Sequence, residues 1–230
     1  MKILQQGMAT IISITAIVTL LITAFEIGAY SDYGWYEKAY EKYDVLDDLE
    51  MEMKDAMHVT EEMMAYLRGN RADLNVDTIV DGEEREFFNE REKAHMVDVK
   101  NLFIGGLWIR RISILIFALA VILLARMKSD WKRLLPKCFL IGSGIFIGIV
   151  CIAGILVASN FNKYFLVFHK VAFRNDLWLL NPETDLLICM LPEGFFMDMV
   201  IRIGTIFLSL LLVGVVISIV VLYRFKDKNN

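Results

Sequence analysis

The sequence has little of what soluble enzymes and metalloproteins rely on. Its 230 residues include only three cysteines, three prolines and three histidines. Cys138 and Cys151 lie within one apolar run and Cys189 stands alone outside it, so no disulfide framework is implied. There is no HEXXH spacing, and neither His95 nor His169 has a second His or Cys three or four residues away, so no metal site is expected. A GXSXG nucleophile elbow, a phosphate-binding glycine loop and a dinucleotide fingerprint are also missing. No cofactor is therefore expected, and an enzyme built on this chain works without a familiar nucleophile. Basic residues are scarce from Tyr30 to Asn101, with 9 Lys or Arg against 20 Asp or Glu. That balance gives this segment no attraction for nucleic acid or anionic lipid, and a nucleic-acid partner is excluded.

What is abundant is apolar. Hydrophobic residues make up 57% of the chain, and they concentrate in four blocks, each near the roughly 20 residues that cross a hydrocarbon core at about 1.5 Å per residue. The blocks are Gly7 to Ala29, Leu107 to Ala125, Cys138 to Ala158 and Ile203 to Leu222; the last two carry no charge. Lys2 before an apolar run is also the form of a signal peptide, but the run is long and no small-x-small cleavage site follows, so an uncleaved span is expected. Gly142, Gly144, Gly148 and Gly154 in the third block suit close helix contact in lipid.

The expected fold is an all-α integral membrane protein, with four transmembrane helices and an extracellular, mostly helical cap. Arg126, Lys128, Lys132, Arg133 and Lys137 lie between the second and third blocks and RFKDKNN ends the chain, which puts both termini in the cytoplasm by the positive-inside rule. Residues 1–29 are then the first span, 30–103 the extracellular acidic cap, 104–126 the second span and 127–137 a cytoplasmic loop. The third span is 138–158, an extracellular interfacial aromatic segment occupies 159–198, the fourth span is 199–223 and the cytoplasmic tail is 224–230.

In the cap, YEKAYEKYDVLDDLEMEMKDAM has the spacing of an amphipathic helix, and Thr60 is a candidate N-cap for the next helix, which ends before Gly69. A loop follows near Asn70 to Gly82, with room for a short strand at Thr78 to Val80. Helical spacing resumes in EEREFFNEREKAHMVDVKNLF. In the second outer segment SNFNKYFLVFHKVAF reads as a short helix, Asn181 before Pro182 as an N-cap, and Pro192 as the start of another turn. Its many aromatics form a belt suited to the headgroup level.

Candidate chemistry rests on histidine. His58 sits far along the acidic cap and reads as a surface residue. His95 and His169 approach one water–lipid boundary from separate segments, and imidazole serves as acid or base near neutral pH. On a helix, Glu92 and Asp98 share a face with His95, and either carboxylate could orient its ring; the alternative is a surface ion-pair ladder. Glu26, Arg110, Arg111 and Arg202 lie near the outer ends of their spans. They either snorkel to the headgroups, pair Glu26 with an arginine, or use an arginine to hold a lipid oxygen.

EKAHMVDVKNLF before one span and FHKVAFRNDLWLLNPETDLLICMLPEGFF between two others, in this order and with this four-span layout, resemble the lipoprotein intramolecular transacylase (Lit) family of low-GC Gram-positive bacteria. The resemblance implies an enzyme of the bacterial cell membrane, a multi-pass acyltransferase with its active site on the extracellular side. Its substrate would be a diacylglyceryl lipoprotein, whose sn-2 acyl chain moves from glycerol oxygen to the N-terminal cysteine amine to give the lyso form. His95 and His169 stand at the positions of the family's two histidines.

Attack of that amine on the sn-2 carbonyl closes an eight-membered ring, so the principal task of such an enzyme is to fold its substrate, held among membrane lipid, into a near-attack shape. One histidine would be base and the other oxyanion donor or acid, with Asp98 orienting His95, Asn175 or Lys170 supplying a further donor, and Phe168, Phe173 and Trp178 shaping the pocket. A shared site needs the two imidazoles within about 10 Å, allowing for substrate between groups of hydrogen-bond reach. If Gly105 and Gly106 leave the helix unbroken, His95 stands about 24 Å along it from Arg111, so either a break or a bilayer boundary nearer Asn101 is expected. The competing reading is a non-enzymatic four-span protein whose cap binds a partner or senses the envelope.

Overall fold

The computed structural model describes residues 2–127 and 130–226. In chain order the helices are α1 (Lys2–Tyr30), α2 (Gly34–Lys42), α3 (Val45–Leu49), α4 (Met53–Arg68), α5 (Glu90–Arg126), α6 (Trp131–Ser159), α7 (Phe161–Ala172), α8 (Leu186–Met190) and α9 (Glu193–Lys226). Two short strands, β1 (Asp77–Val80) and β2 (Glu83–Glu86), lie between α4 and α5. The protein is an all-α integral membrane protein in which α1, α5, α6 and α9 are long and apolar enough to span a bilayer. The chain forms two compact units.

The first unit is built from the apolar stretches of these four helices. Ala9 and Ile12 of α1 pack with Ala120 and Leu124 of α5, while Ile17 and Ala24 of α1 pack with Phe207 and Leu211 of α9. Much of the remaining apolar surface faces outward, including Ile141, Ile145, Ile152 and Ile155 of α6. Lipid tails solvate such side chains, whereas every backbone polar group must be paired within the helix. Hydroxyls obey the same demand: Ser13, Thr15, Thr19, Ser209 and Ser218 each donate to the carbonyl four residues back. Of the four glycines in α6, only Gly142 meets a neighbour, Ile17 of α1, and the other three face open space. Close approaches occur instead at Gly28, against Ile203, and at Gly214, against Phe139. Glu26 pairs with Arg110, and Arg111 lies over the Trp108 ring. Arg202 belongs to α9.

The second unit comprises Ala29–Gly106 and Asn160–Ile201. Its core gathers Tyr36 and Tyr40 of α2, Val45 of α3, Val59, Met63 and Met64 of α4, Phe87, Phe88, and Met190 and Phe195. Tyr40 and Thr60 share a buried hydrogen bond of 2.7 Å, so Thr60 is an interior residue of α4 and not a cap. The expected long amphipathic helix is divided in two places, because Asp44 and Glu50 adopt φ of 53° and 51°, and α3 is the short piece between them. Gly69, at φ 85°, ends α4 as expected.

Between Arg68 and Glu90 the chain turns back on itself. Asp81-Gly82, both at positive φ, close a two-residue hairpin with Val80 opposite Glu83. Glu83–Glu86 is therefore strand, not the start of a helix. The helix begins after Asn89, whose side-chain oxygen accepts the N–H groups of Arg91 and Glu92 while Glu92 returns a bond to the Asn89 N–H; this is a reciprocal capping box. From there α5 runs unbroken through Gly105 and Gly106.

Candidate active site

His95 sits in the charged opening turns of α5, ahead of that helix's apolar stretch, and His169 lies near the end of α7. Helix α7 starts at Asn160, whose side chain accepts the Lys163 N–H at 3.0 Å. Its inward face carries Phe165 and His169, four residues apart. The two imidazole centroids are 6.3 Å apart with rings inclined at 37°, inside the span that a shared site allows.

Aromatic rings surround His169, and one of them reaches His95. Phe173 lies 5.2 Å from His95 and 5.6 Å from His169, so it touches both. Phe165 and Phe168 meet His169 edge-on at 4.3 and 5.2 Å, and Trp178 stacks on it at 5.0 Å. Both histidines are buried, at 6% and 8% exposure.

Burial sets their proton affinities. The His95 imidazole is pushed down to about 4, first by loss of solvation and then by the neighbouring His169, with Asp98 pulling the other way. His169 is also lowered by burial, partly countered by its bond to the Phe165 carbonyl. That bond, 2.8 Å from Nδ1 to the oxygen, fixes a tautomer: a carbonyl only accepts, so Nδ1 carries the proton and Nε2 of the neutral ring presents a lone pair. Nδ1 of His95 is buried with no hydrogen-bond partner among the described residues, a cost that native proteins seldom bear without use.

Neither carboxylate expected to orient His95 bonds to it. Asp98 instead accepts from the Asn175 amide at 2.8 Å, and Asn175 organises its own loop by accepting from Leu177 N and, through its carbonyl, from Trp178 Nε1 at 2.7 Å. The pair thus ties the Trp178 loop to α5 one turn beyond His95. Lys170 is exposed and lines a cleft of about 500 Å³ with Leu166, Phe173, Arg174, Trp178 and Leu179. His58 is exposed on α4.

The model of the Lit family, lipoprotein intramolecular transacylases, matches residues 10–196. The chain belongs to that family. It is accordingly a membrane acyltransferase of the lipoprotein intramolecular transacylase type. Three solved structures of Lit from Bacillus cereus, obtained in meso, share its fold. One has TM-score 0.75 at 24% identity, covering 100% of this chain and 98% of that one. A form with a histidine-to-alanine mutation has TM-score 0.79 at 22% identity, covering 97% and 96%. Another with a histidine-to-arginine mutation has the same score and identity, covering 98% and 95%. No curated protein matches the chain.

In this Lit-family chain, Glu92 does something other than the expected orienting of His95, and Asn89 and Asp185 were not singled out in the sequence. Glu92 turns away from His95 and is fully buried; its carboxylate accepts Leu187 N at 2.6 Å and Asn89 N at 2.7 Å. Burial pushes its carboxyl above the usual range, against those two bonds. Asn89 also donates to Asp185, whose other oxygen accepts Asn181 N. Asp185, not Asn181, precedes α8, and Asn181-Pro182 forms a turn. The Asn89-x-x-Glu92 spacing was the available signal, and it lay inside what read as continuous helix. For Asp185 the sequence offered none.

Proposed function

We propose that this chain transfers the sn-2 acyl group of a diacylglyceryl lipoprotein from glycerol oxygen to the amine of the N-terminal cysteine. The observation that carries the reading is the buried histidine pair, 6.3 Å apart, with Phe173 against both rings. Nε2 of His169 takes the proton as the amine nitrogen attacks the sn-2 carbonyl carbon. A neutral His95 donates an N–H to the oxygen that gains charge. The C–O bond to glycerol then breaks, the amide forms, and His169 returns its proton to the departing glycerol oxygen. Atoms balance without water or a covalent enzyme intermediate.

The division of labour follows from surroundings. A ring whose Nδ1–H is held by a carbonyl is easier to protonate at Nε2, which favours His169 as base. A ring that stays neutral through strong desolvation is a hydrogen-bond donor, the role a neutral imidazole fills in other enzymes. The unpaired Nδ1 of His95 is the polar capacity that bound substrate would use. Phe168, Phe173 and Trp178 form walls that fold the diacylglyceryl group onto its own amine. Asp98 and Asn175 act on the site through the Trp178 loop, and Lys170, exposed on its cleft, takes no step in the transfer, since none of the three bonds to an imidazole.

The site faces the extracellular side of the membrane in this reading, with both termini cytoplasmic. Because α5 is continuous, the bilayer boundary on that helix lies near Asn101, where its charges end until Arg110.

Glutamine separates the two roles, since it donates a hydrogen bond but cannot serve as a base at neutral pH. We expect His169→Gln and His169→Ala to abolish lyso-lipoprotein formation alike, by at least the 10² that general-base catalysis typically supplies. His95→Gln should keep more activity than His95→Ala. Mass spectrometry of a reporter lipopeptide measures the product. Normal product from both alanine variants would overturn the assignment, and the reverse glutamine pattern would exchange the roles.

A further inference from the structure

One side of α7 is not used by the acyl transfer. Leu166, Val167, Lys170 and Val171 all face outward, Val171 at 82% exposure, while His169 lies on the opposite, inward face. Beside this stripe opens the cleft of about 500 Å³, with Leu166, Leu179, Phe173 and Trp178 as apolar walls and Lys170, Arg174, Asn175 and Asp176 as polar groups. The Asn175 amide is committed to Asp98. Lys170 and Arg174 have no ion-pair or hydrogen-bond partner among the described residues. This is in a chain of net charge −4, where carboxylates are in excess. Asp176 is the only acidic residue on the lining, and its backbone carbonyl draws the Arg91 guanidinium to 2.6 Å, so the surroundings are net positive.

We propose that this cleft binds the phosphate of an anionic phospholipid headgroup. Arg174 and Lys170 hold the phosphate oxygens, the first as a fork and the second as a point charge. Leu166, Leu179 and the adjacent Val171 lie against the acyl chains. Exposed leucine and valine interleaved with unpaired cations are what an interfacial helix presents to anionic lipid. An acidic peptide arriving from water would satisfy the cations and leave the apolar stripe bare, so lipid is the occupant that uses both. Through Trp178 and Phe173, which line the cleft and also touch His169, a bound lipid would form the outer wall of the histidine pocket.

The test uses the full chain in nanodiscs of phosphatidylcholine containing one-fifth phosphatidylglycerol, with native mass spectrometry counting the lipids retained. Phosphatidylglycerol should be enriched on the wild type. Lys170→Gln with Arg174→Gln should lower that enrichment about 10- to 30-fold, at the strength of roughly one basic-residue contact each. Lys170→Arg with Arg174→Lys keeps the charges and should retain it. Equal retention by the wild type and the glutamine pair would overturn the proposal, as would loss in the charge-keeping variant. Displacement by 10 mM inorganic phosphate or by a short acidic peptide would overturn it too, the first pointing to a free anion and the second to a peptide site. The readout requires no turnover, so its failure leaves the roles of His95 and His169 intact, and failure of those roles leaves it readable.

Discussion

Replacing Glu92 with alanine probes what holds the opening of α5, and hence His95, in place. The carboxylate is fully buried and accepts Leu187 N and Asn89 N. Stranding the buried Leu187 N–H costs about 1–3 kcal/mol. Losing the reciprocal half of the capping box costs about 1 kcal/mol, and the one methylene removed about 0.8 kcal/mol. Relief of the carboxylate's burial returns part of this, leaving a net loss of about 2–4 kcal/mol. Glu92→Gln keeps one accepting oxygen and turns an NH₂ toward the other N–H, for about 1–2 kcal/mol. Hydrogen exchange of the full chain in nanodiscs reads this locally: protection should fall at Asn89 and across Leu186–Met190, by roughly tenfold per 1.4 kcal/mol. The lyso-forming rate should fall with it. Unchanged exchange at Leu187 in Glu92→Ala, or a glutamine variant more damaged than the alanine, would refute the reasoning.

Acid should destabilise the second unit through His95. Its folded value near 4 lies below the ordinary 6.5, so the unfolded chain binds more protons between those limits and stability falls as pH drops from 6.5 to 4, by at most about 3 kcal/mol. His95→Gln should flatten this slope in pH-resolved hydrogen exchange. Glu92 has the opposite sign: its raised carboxyl makes the folded state the better proton binder above 4.5, so Glu92→Gln should steepen the acid loss. A Cβ at Gly194 would enter the Tyr43 ring, whose hydroxyl is anchored on Asp198 at 2.8 Å. Gly194→Ala should therefore cost about 1–3 kcal/mol, whereas Gly105→Ala meets nothing and should gain up to about 1 kcal/mol in helix propensity, both read as thermal shifts. A cysteine at Glu83 should react with an impermeant maleimide in intact cells, and one at Lys132 only after permeabilisation; the reverse pattern would invert the proposed topology.

The spanning helices were legible because apolar runs of that length, charged at most near one end, have few alternatives. The second unit was harder, since polar helices, strands and turns share one composition. The expected loop and short strand at Thr78 to Val80 caught only half of the hairpin, because β2 is entirely exposed and so lacked the alternation that marks a strand. Asp44 and Glu50 divide the first cap helix in left-handed conformations that neither residue type demands. Gly105 and Gly106 do not break α5, because an interrupted helix entering lipid would strand backbone groups at several kcal/mol each, more than the roughly 1 kcal/mol a helical glycine costs. Both histidines were visible as residues, and Phe168, Phe173 and Trp178 stood in the same short segment as His169. The Phe165 carbonyl that sets the His169 tautomer is a backbone atom and leaves no mark in side-chain pattern. The bond of Asp98 to Asn175 was equally hidden, since spacing put Asp98 near His95 without deciding which neighbour it holds.

The most direct test of the central claim follows the acyl chain itself. A diacylglyceryl lipopeptide deuterated only in its sn-2 chain, mixed with an undeuterated lipopeptide of different peptide mass, is turned over by the reconstituted wild-type chain and by His169→Gln. The account predicts that the wild type delivers the deuterated chain to the amine of its own peptide, with no crossover and no free fatty acid, and that His169→Gln delivers none. Deuterated fatty acid in solution, an undeuterated amide on the labelled peptide, or full transfer by His169→Gln would contradict it.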